Sequence, residues 1–173
     1  MEFEFAILDW IQQNLSCGFL DAVVPVFTKL GDKGIIWIVL SVVLICTKKY
    51  RPYGIMMIIS IAAGFIIGNV CLKHIVARPR PCWVNTDVDM LVDVPSDYSF
   101  PSGHTLTSAE GATVAMYADK KIGICAVIVA VLIALSRLYL YVHYPTDVLG
   151  GAILGVGIGM TTVYFYRKRF MEQ

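Results

Sequence analysis

The run "IGICAVIVAVLIALSRLYLYVHYPTD", residues 122–147, decides the fold. It opens as an uninterrupted apolar stretch and closes on Ser136, Arg137, His143 and Asp147. The apolar part, 122–140, is near the ~20 residues that an α-helix needs to cross hydrocarbon. A second apolar run, 148–166, starts directly after Asp147, so the polar cluster sits at a turn between two membrane helices. Further apolar runs lie at 34–47, 53–72 and 105–118. There is no ten-residue alternation of the kind a barrel strand needs, so helices are the spanning elements. The pattern predicts an all-α integral membrane bundle of about five transmembrane helices. It is read as one domain over 1–173, with an amphipathic N-terminal segment at 1–33 and the bundle at 34–173.

Composition agrees with that class. Of 173 residues, 57% are apolar and the mean hydropathy is +0.69, against an apolar share of about 45–50% in soluble domains. A net charge of +1 without any basic stripe excludes a nucleic-acid partner. The acidic start "MEFEF" lacks the basic opening of a cleavable signal peptide, so the N-terminus is expected to be retained. Phe3, Ile7, Trp10 and Ile11 recur at helical spacing opposite Glu4, Gln12 and Gln13. Residues 3–15 are therefore an amphipathic helix, lying in the outer interface or packed on the bundle. A second short interfacial helix is expected over 19–30. The five cysteines form no CxxC or Cys/His pattern. Asp87, Asp89, Asp93 and Asp97 lack the glycine-turned spacing of a cation loop, which makes 82–99 a solvated lid. No metal and no cofactor is expected.

Charge distribution gives the first functional clue. "TKKYR" (47–51), "DKK" (119–121) and "YRKR" (166–169) fall on one side of the five-span topology, which the positive-inside rule makes cytoplasmic. The opposite connections carry all three histidines, His74, His104 and His143, and with the adjoining helix ends Lys73, Arg78, Arg80 and Arg137. One basic residue at a helix end is an ordinary interfacial anchor. Four at one mouth are not, because two cations 4 Å apart repel by roughly 4 kcal/mol at an effective dielectric of 20. They call for an anion between them, and a phosphate suits both the arginine fork and the lysine point charge.

Three short stretches supply the chemistry. In "KHIVARPRP" (73–81), Lys73 and Arg80 are seven apart, and Pro79 and Pro81 set Arg80 on an extended turn beyond the helix end. In "PSGH" (101–104), Pro101 suits the first helical position, Ser102 adds a hydroxyl, and Gly103 lets backbone approach a ligand at an anion-binding helix start. In "SRLYLYVHYPTD" (136–147), Asp147 lies four residues after His143 and is placed to hold its Nδ1–H, leaving Nε2 as nucleophile or base. Asp147 also complements the dipole of the last helix.

Together these stretches resemble the signature of the type 2 phosphatidic acid phosphatase superfamily. Its KxxxxxxRP pattern is matched by Lys73, Arg80 and Pro81, its PSGH by Pro101, Ser102, Gly103 and His104, and its SRxxxxxHxxxD by Ser136, Arg137, His143 and Asp147. The resemblance covers 73–147. It implies metal-independent hydrolysis of a phosphomonoester or diphosphate, with a lipid phosphate as substrate and the bilayer as surroundings. His143 would attack phosphorus, Asp147 orient it, and His104 protonate the leaving oxygen. Lys73, Arg80, Ser102, the Gly103 amide and Arg137 would hold the phosphoryl oxygens. Undecaprenyl diphosphate phosphatases of similar architecture often carry PSDH and lack the lysine, whereas this chain has Gly103 and Lys73. Two rivals stand beside this reading: a non-catalytic binder or transporter of lipid anions, and a serine hydrolase with Ser102 as nucleophile and His143–Asp147 as its base. Glu110, inside the third run, is expected to face the bundle interior, as a structural hydrogen-bonding group or on the substrate path.

Overall fold

The computed structural model describes residues 2–170. Their only regular secondary structure is helical, with no strand among the described residues. An N-terminal pair, α1 (Glu2–Leu15) and α2 (Gly18–Thr28), leads through a 3₁₀ turn (Lys29–Gly34) into α3 (Ile35–Cys46). Next comes α4 (Arg51–Gly64), which widens into a π-helical stretch (Phe65–Leu72) and closes as the single turn α5 (Lys73–Val76). The short α6 (Pro81–Val84), the loop 85–102, then α7 (Gly103–Ala118), α8 (Lys120–Tyr139) and α9 (Pro145–Phe170) complete the chain.

The stretch Arg51–Val84, α8 and α9 are long and apolar enough to cross a membrane. Two of the expected spans are shorter, 12 residues for α3 and 16 for α7. The reason is clearest for α7, the central helix of the bundle. It buries Thr105, Ser108, Glu110 and Gly111 beside its apolar residues, so it offers neighbouring helices what a peripheral span would offer lipid. The peripheral helices are apolar outward: Val39 and Val43 on α3, Ile128 and Leu135 on α8, and Leu149 and Ile153 on α9 are all exposed.

Small residues set the distance of each neighbour from α7. A Cβ on Gly155 of α9 would come 2.3 Å from the Leu106 carbonyl oxygen, and one on Gly151 would come 2.7 Å from that of Ser102. On α4, a Cβ at Gly64 would strike the Glu110 carboxylate at 2.2 Å. On α7 itself, Gly111 accepts the Trp37 ring, whose indole N–H donates to Ser108 Oγ at 3.0 Å. Glu110 is thus packed between α4 and α7, where Ser60 Oγ donates to its Oε1 at 3.4 Å. It takes no part in the polar cavity described below.

The basic turns 47–51 and 119–121 meet at one end of the bundle, where the Tyr50 hydroxyl reaches Asp119 Oδ2 at 3.1 Å. The three signature stretches gather at the other end. Helix α1 packs there, with Leu8 buried and Phe5 edge-on to Tyr144 at 5.4 Å. Its polar residues do the docking: Gln12 Nε2 donates to the Tyr139 carbonyl at 2.5 Å and Asp9 accepts from the Tyr141 hydroxyl at 2.7 Å. Phe3 and Trp10 face outward instead. The expected apolar face is therefore split, with Phe3 and Trp10 outward and Ile11 packed on the bundle, and Glu4 and Gln12 serve contact with the bundle rather than water. All five cysteines are free thiols.

The close approach of α9 predicts that Gly155→Ala destabilises the protein by about 1–3 kcal/mol, the range for overpacking. Gly157→Ala, with nothing within 4 Å of the new methyl, serves as the control. Thermal unfolding in detergent measures both, and only the first should lower Tm.

Candidate active site

Helix geometry explains how each polar side chain reaches this end. The π-helical stretch delivers Lys73 to the last turn of its helix, which Ala77 stops by adopting a left-handed conformation (φ 47°). Arg80 follows in extended backbone (φ −78°, ψ 152°), as the flanking prolines require. Helix α7 starts at Gly103 with Ser102 as its N-cap, so Pro101 stands just outside the helix rather than at its first position. Its leading amide groups have no partner within the helix. Gly103 lies against Asn69, and a Cβ there would come 2.8 Å from the Asn69 side-chain oxygen.

A cavity of about 1090 Å³ lies between these elements, and Lys73, Arg80, Gly103, His104, Arg137 and His143 all line it. Lys73, Arg80, Arg137 and His143 are buried in its wall. Arg137 donates through Nη1 to Thr28 Oγ1 at 2.7 Å, while its Nε is buried with no partner. Glu110 Oε2 and the Tyr144 hydroxyl are likewise buried without a partner, and of the three residues only Arg137 lines the cavity. Ser102 is set back from the cavity, accepting from the Thr105 hydroxyl at 3.1 Å while its N–H donates to the Asp147 carbonyl. It makes no hydrogen bond to His143, so a Ser102–His143–Asp147 relay of the serine-hydrolase kind is not assembled.

Asp147 stands close to His143 but not in the simple pairing that the spacing suggests. Its Oδ2 is 3.6 Å from His143 Nδ1, beyond hydrogen-bond length. Ser99 bridges the gap, with its hydroxyl 3.4 Å from Nδ1 and donating to Asp147 Oδ2 at 2.5 Å. The Tyr144 amide gives Oδ2 a second donor at 2.8 Å. His143 Nε2 lies 3.1 Å from Arg80 Nη1, which also donates to the Val142 carbonyl at 2.7 Å. An arginine N–H is always a donor, so Nε2 accepts, with its lone pair directed at Arg80 in the cavity wall. Burial is the main force holding the His143 imidazole down, to about 3, with Arg80 and Arg137 acting the same way, so the ring is neutral at physiological pH.

Arg78 departs from the expected cationic cluster. It turns away from the cavity, donating to Asp147 Oδ1 at 2.6 Å, Glu4 Oε2 at 2.5 Å and Thr146 Oγ1 at 2.7 Å, with its guanidinium 4.0 Å over the Tyr144 ring. Its role is to tie α1 to the turn that carries His143. Asp97 departs in the opposite direction. It remains exposed at the cavity mouth, as a loop charge should, but it is also clamped by Lys73 and by Arg80, whose Nη2 is 2.7 Å from Oδ1 and whose Nε donates to the Asp97 carbonyl at 2.7 Å. Burial pushes this carboxyl up, but the Lys73 hydrogen bond and the Arg80 charge outweigh it and hold it down at about 2. Asp97 is therefore ionised at neutral pH, and its clamp loosens only as pH falls from about 4 toward about 2. Ser99, Asp97, Asn69 and Asp32 were not readable as site residues, since none belongs to a local pattern. Asp32 Oδ1 meets His104 Nε2 at 2.8 Å.

A helical membrane bundle with a cationic, histidine-bearing cavity at one mouth is the architecture of a membrane phosphatase. The chain belongs to the PAP2 superfamily, whose family model matches residues 49–171. It is 35% identical over 139 residues to the undecaprenyl-diphosphatase of Sulfolobus acidocaldarius, covering 80% of this chain and 67% of that one. To phosphatidylglycerophosphatase B of Bacillus subtilis it is 34% identical over 131 residues, which is 69% of this chain and 59% of the relative. The solved structure of a transmembrane PAP2-type phosphatidylglycerolphosphate phosphatase from Bacillus subtilis superposes with a TM-score of 0.82 at 28% identity, over 99% of this chain and 88% of that one.

Arg78→Ala strips the buried Asp147 carboxylate of its cation and should cost on the order of 3 kcal/mol, seen as a lower Tm in detergent together with a fall in kcat. Asp97→Asn removes the paired anion from Lys73 and Arg80. Orthovanadate, a phosphoryl mimic, should then inhibit at several-fold lower concentration than it does for the wild type.

Proposed function

We propose that this chain hydrolyses a lipid phosphate or lipid diphosphate at the extracytoplasmic face of the cell membrane through a phosphohistidine intermediate. The single observation that carries the reading is the neutral His143 imidazole, buried beside Arg80 and with its Nε2 toward a cavity walled by Lys73, Arg80 and Arg137. A phosphoryl group bound there replaces the Asp97 carboxylate as the counter-anion of Lys73 and Arg80. It also meets the unpartnered Arg137 Nε and the amides at the start of α7. Positive groups fixed around the phosphoryl oxygens stabilise charge as it develops in the transition state.

His143 Nε2 attacks phosphorus, the bond to the leaving oxygen breaks, and His104, entering the step as the imidazolium, gives that oxygen a proton and becomes neutral. Asp147 and Ser99 hold Nδ1 and stabilise the positive charge that the ring acquires. A water then attacks the phosphohistidine and passes a proton to His104, and cleavage of the N–P bond releases inorganic phosphate. Gly103 and Ser102 shape the helix start that receives the oxygens.

The membrane supports the same substrate class. An apolar tail stays in the bilayer beside the exposed faces of the bundle while the headgroup enters the mouth. Sidedness follows from the basic turns at the opposite end, which the positive-inside rule assigns to the cytoplasm. Undecaprenyl diphosphate and phosphatidylglycerophosphate, the substrates in the relatives' names, are the first two lipids to test, with phosphatidic acid as the third.

Inorganic phosphate release from those three purified lipids tests the reading. His143→Ala should lose turnover entirely. Radiolabelled substrate should leave an alkali-stable, acid-labile phosphoryl group on the wild type and none on His143→Ala. Full turnover by the alanine variant would remove His143 from the chemistry.

A further inference from the structure

His104 is held from outside the matched family region. The 3₁₀ turn Lys29–Gly34 precedes residue 49, where the family match begins, and it lies directly against the first turn of α7. A Cβ on Gly31 would lie 2.8 Å from His104 Cδ2, and one on Gly34 would lie 2.9 Å from Thr107 Cγ2. The turn reverses sharply, with Asp32 in extended backbone (φ −59°, ψ 127°) followed by Lys33 at φ 52° and Gly34 at φ 70°. Two successive left-handed residues at a site of close packing aim one side chain, and that side chain is Asp32. Its Oδ1 is 2.8 Å from His104 Nε2.

We propose that Asp32 is a positioning residue for His104, fixing its ring through Nε2 so that Nδ1 is the nitrogen that exchanges the proton with the leaving oxygen. The inference rests on the reading of His104 as general acid. Its physical content is twofold. The bond selects one tautomer and one ring orientation. The carboxylate also offsets Lys73 and Arg137, which line the same cavity and repel a protonated imidazole. The arrangement divides the two histidines between two supports: His143 is served by Ser99 and Asp147 of the signature region, and His104 by a carboxylate from the N-terminal segment.

The test compares leaving groups, using full-length protein in detergent. Phosphatidic acid releases an alkoxide that must be protonated as it departs, whereas p-nitrophenyl phosphate releases a stabilised phenolate that need not be. Asp32→Asn should lower kcat on phosphatidic acid about 10- to 100-fold with KM nearly unchanged, and lower p-nitrophenyl phosphate turnover by no more than about threefold. Asp32→Glu should restore most of the loss. In a His104→Ala background, Asp32→Asn should add nothing on phosphatidic acid. An equal loss on both substrates, an additive loss in the His104→Ala background, or no loss at all would overturn the assignment. So would a lower KM with kcat retained, which would make Asp32 a competitor for the cavity. If His104→Ala itself keeps full turnover of phosphatidic acid, the general-acid reading fails and this inference with it. That outcome is separable because it does not involve Asp32.

Discussion

Like charges crowded into a buried wall are the constraint on which the rest of the site depends. Lys73, Arg80 and Arg137 are all buried around one cavity. At an effective dielectric of 20, each close pair of cations costs a few kcal/mol unless an anion lies between them. In the free protein Asp97 answers for Lys73 and Arg80. Arg137 donates to the neutral Thr28 hydroxyl and is left with a bare Nε. In the proposed reaction a phosphoryl group enters an environment already organised around negative charge, one anion taking the place of another.

The same logic explains why a short N-terminal region matters to chemistry carried by a distant motif. Arg78 joins Glu4 of α1 to Asp147, so the carboxylate beneath His143 is held by three elements at once. Neighbouring Asp9 and Gln12 fasten α1 to the turn 139–141. Residues 1–48 lie outside the family match, yet they contribute Glu4, Thr28 and Asp32 to the support of the signature residues.

The helical membrane class was legible because apolar run length is a direct physical requirement of the bilayer, and the gathering of the three motifs at one end followed from counting spans. Spacing also read correctly the helix break before Arg80, since proline restricts backbone whatever the surroundings. What escaped was everything decided by contact between distant segments. Four residues from His143 to Asp147 suggested a direct bond, but the start of α9 leaves them 3.6 Å apart with Ser99 between. Arg78 and Arg80 are two residues apart in sequence, yet the first meets Asp147 and the second Asp97. Asp97 looked like one of four loop charges, and only the fold distinguishes it from Asp87, Asp89 and Asp93. The end of α7 at Ala118 matches the end of the apolar run 105–118, but its central position, a tertiary fact that replaces lipid contact with helix contact, was not legible.

The π-helical stretch Phe65–Leu72 immediately precedes Lys73 and includes Gly68, where a Cβ would come 2.6 Å from Leu106. A π turn absorbs surplus residues relative to an α turn and so rotates whatever follows it. The direction in which Lys73 points is therefore governed by winding upstream as well as by its own rotamer. Shortening this segment by one position would swing the ammonium around the helix axis while every residue of the pocket kept its identity. Register along α4 is thus a separate means by which such a bundle can retune its grip on an oxyanion.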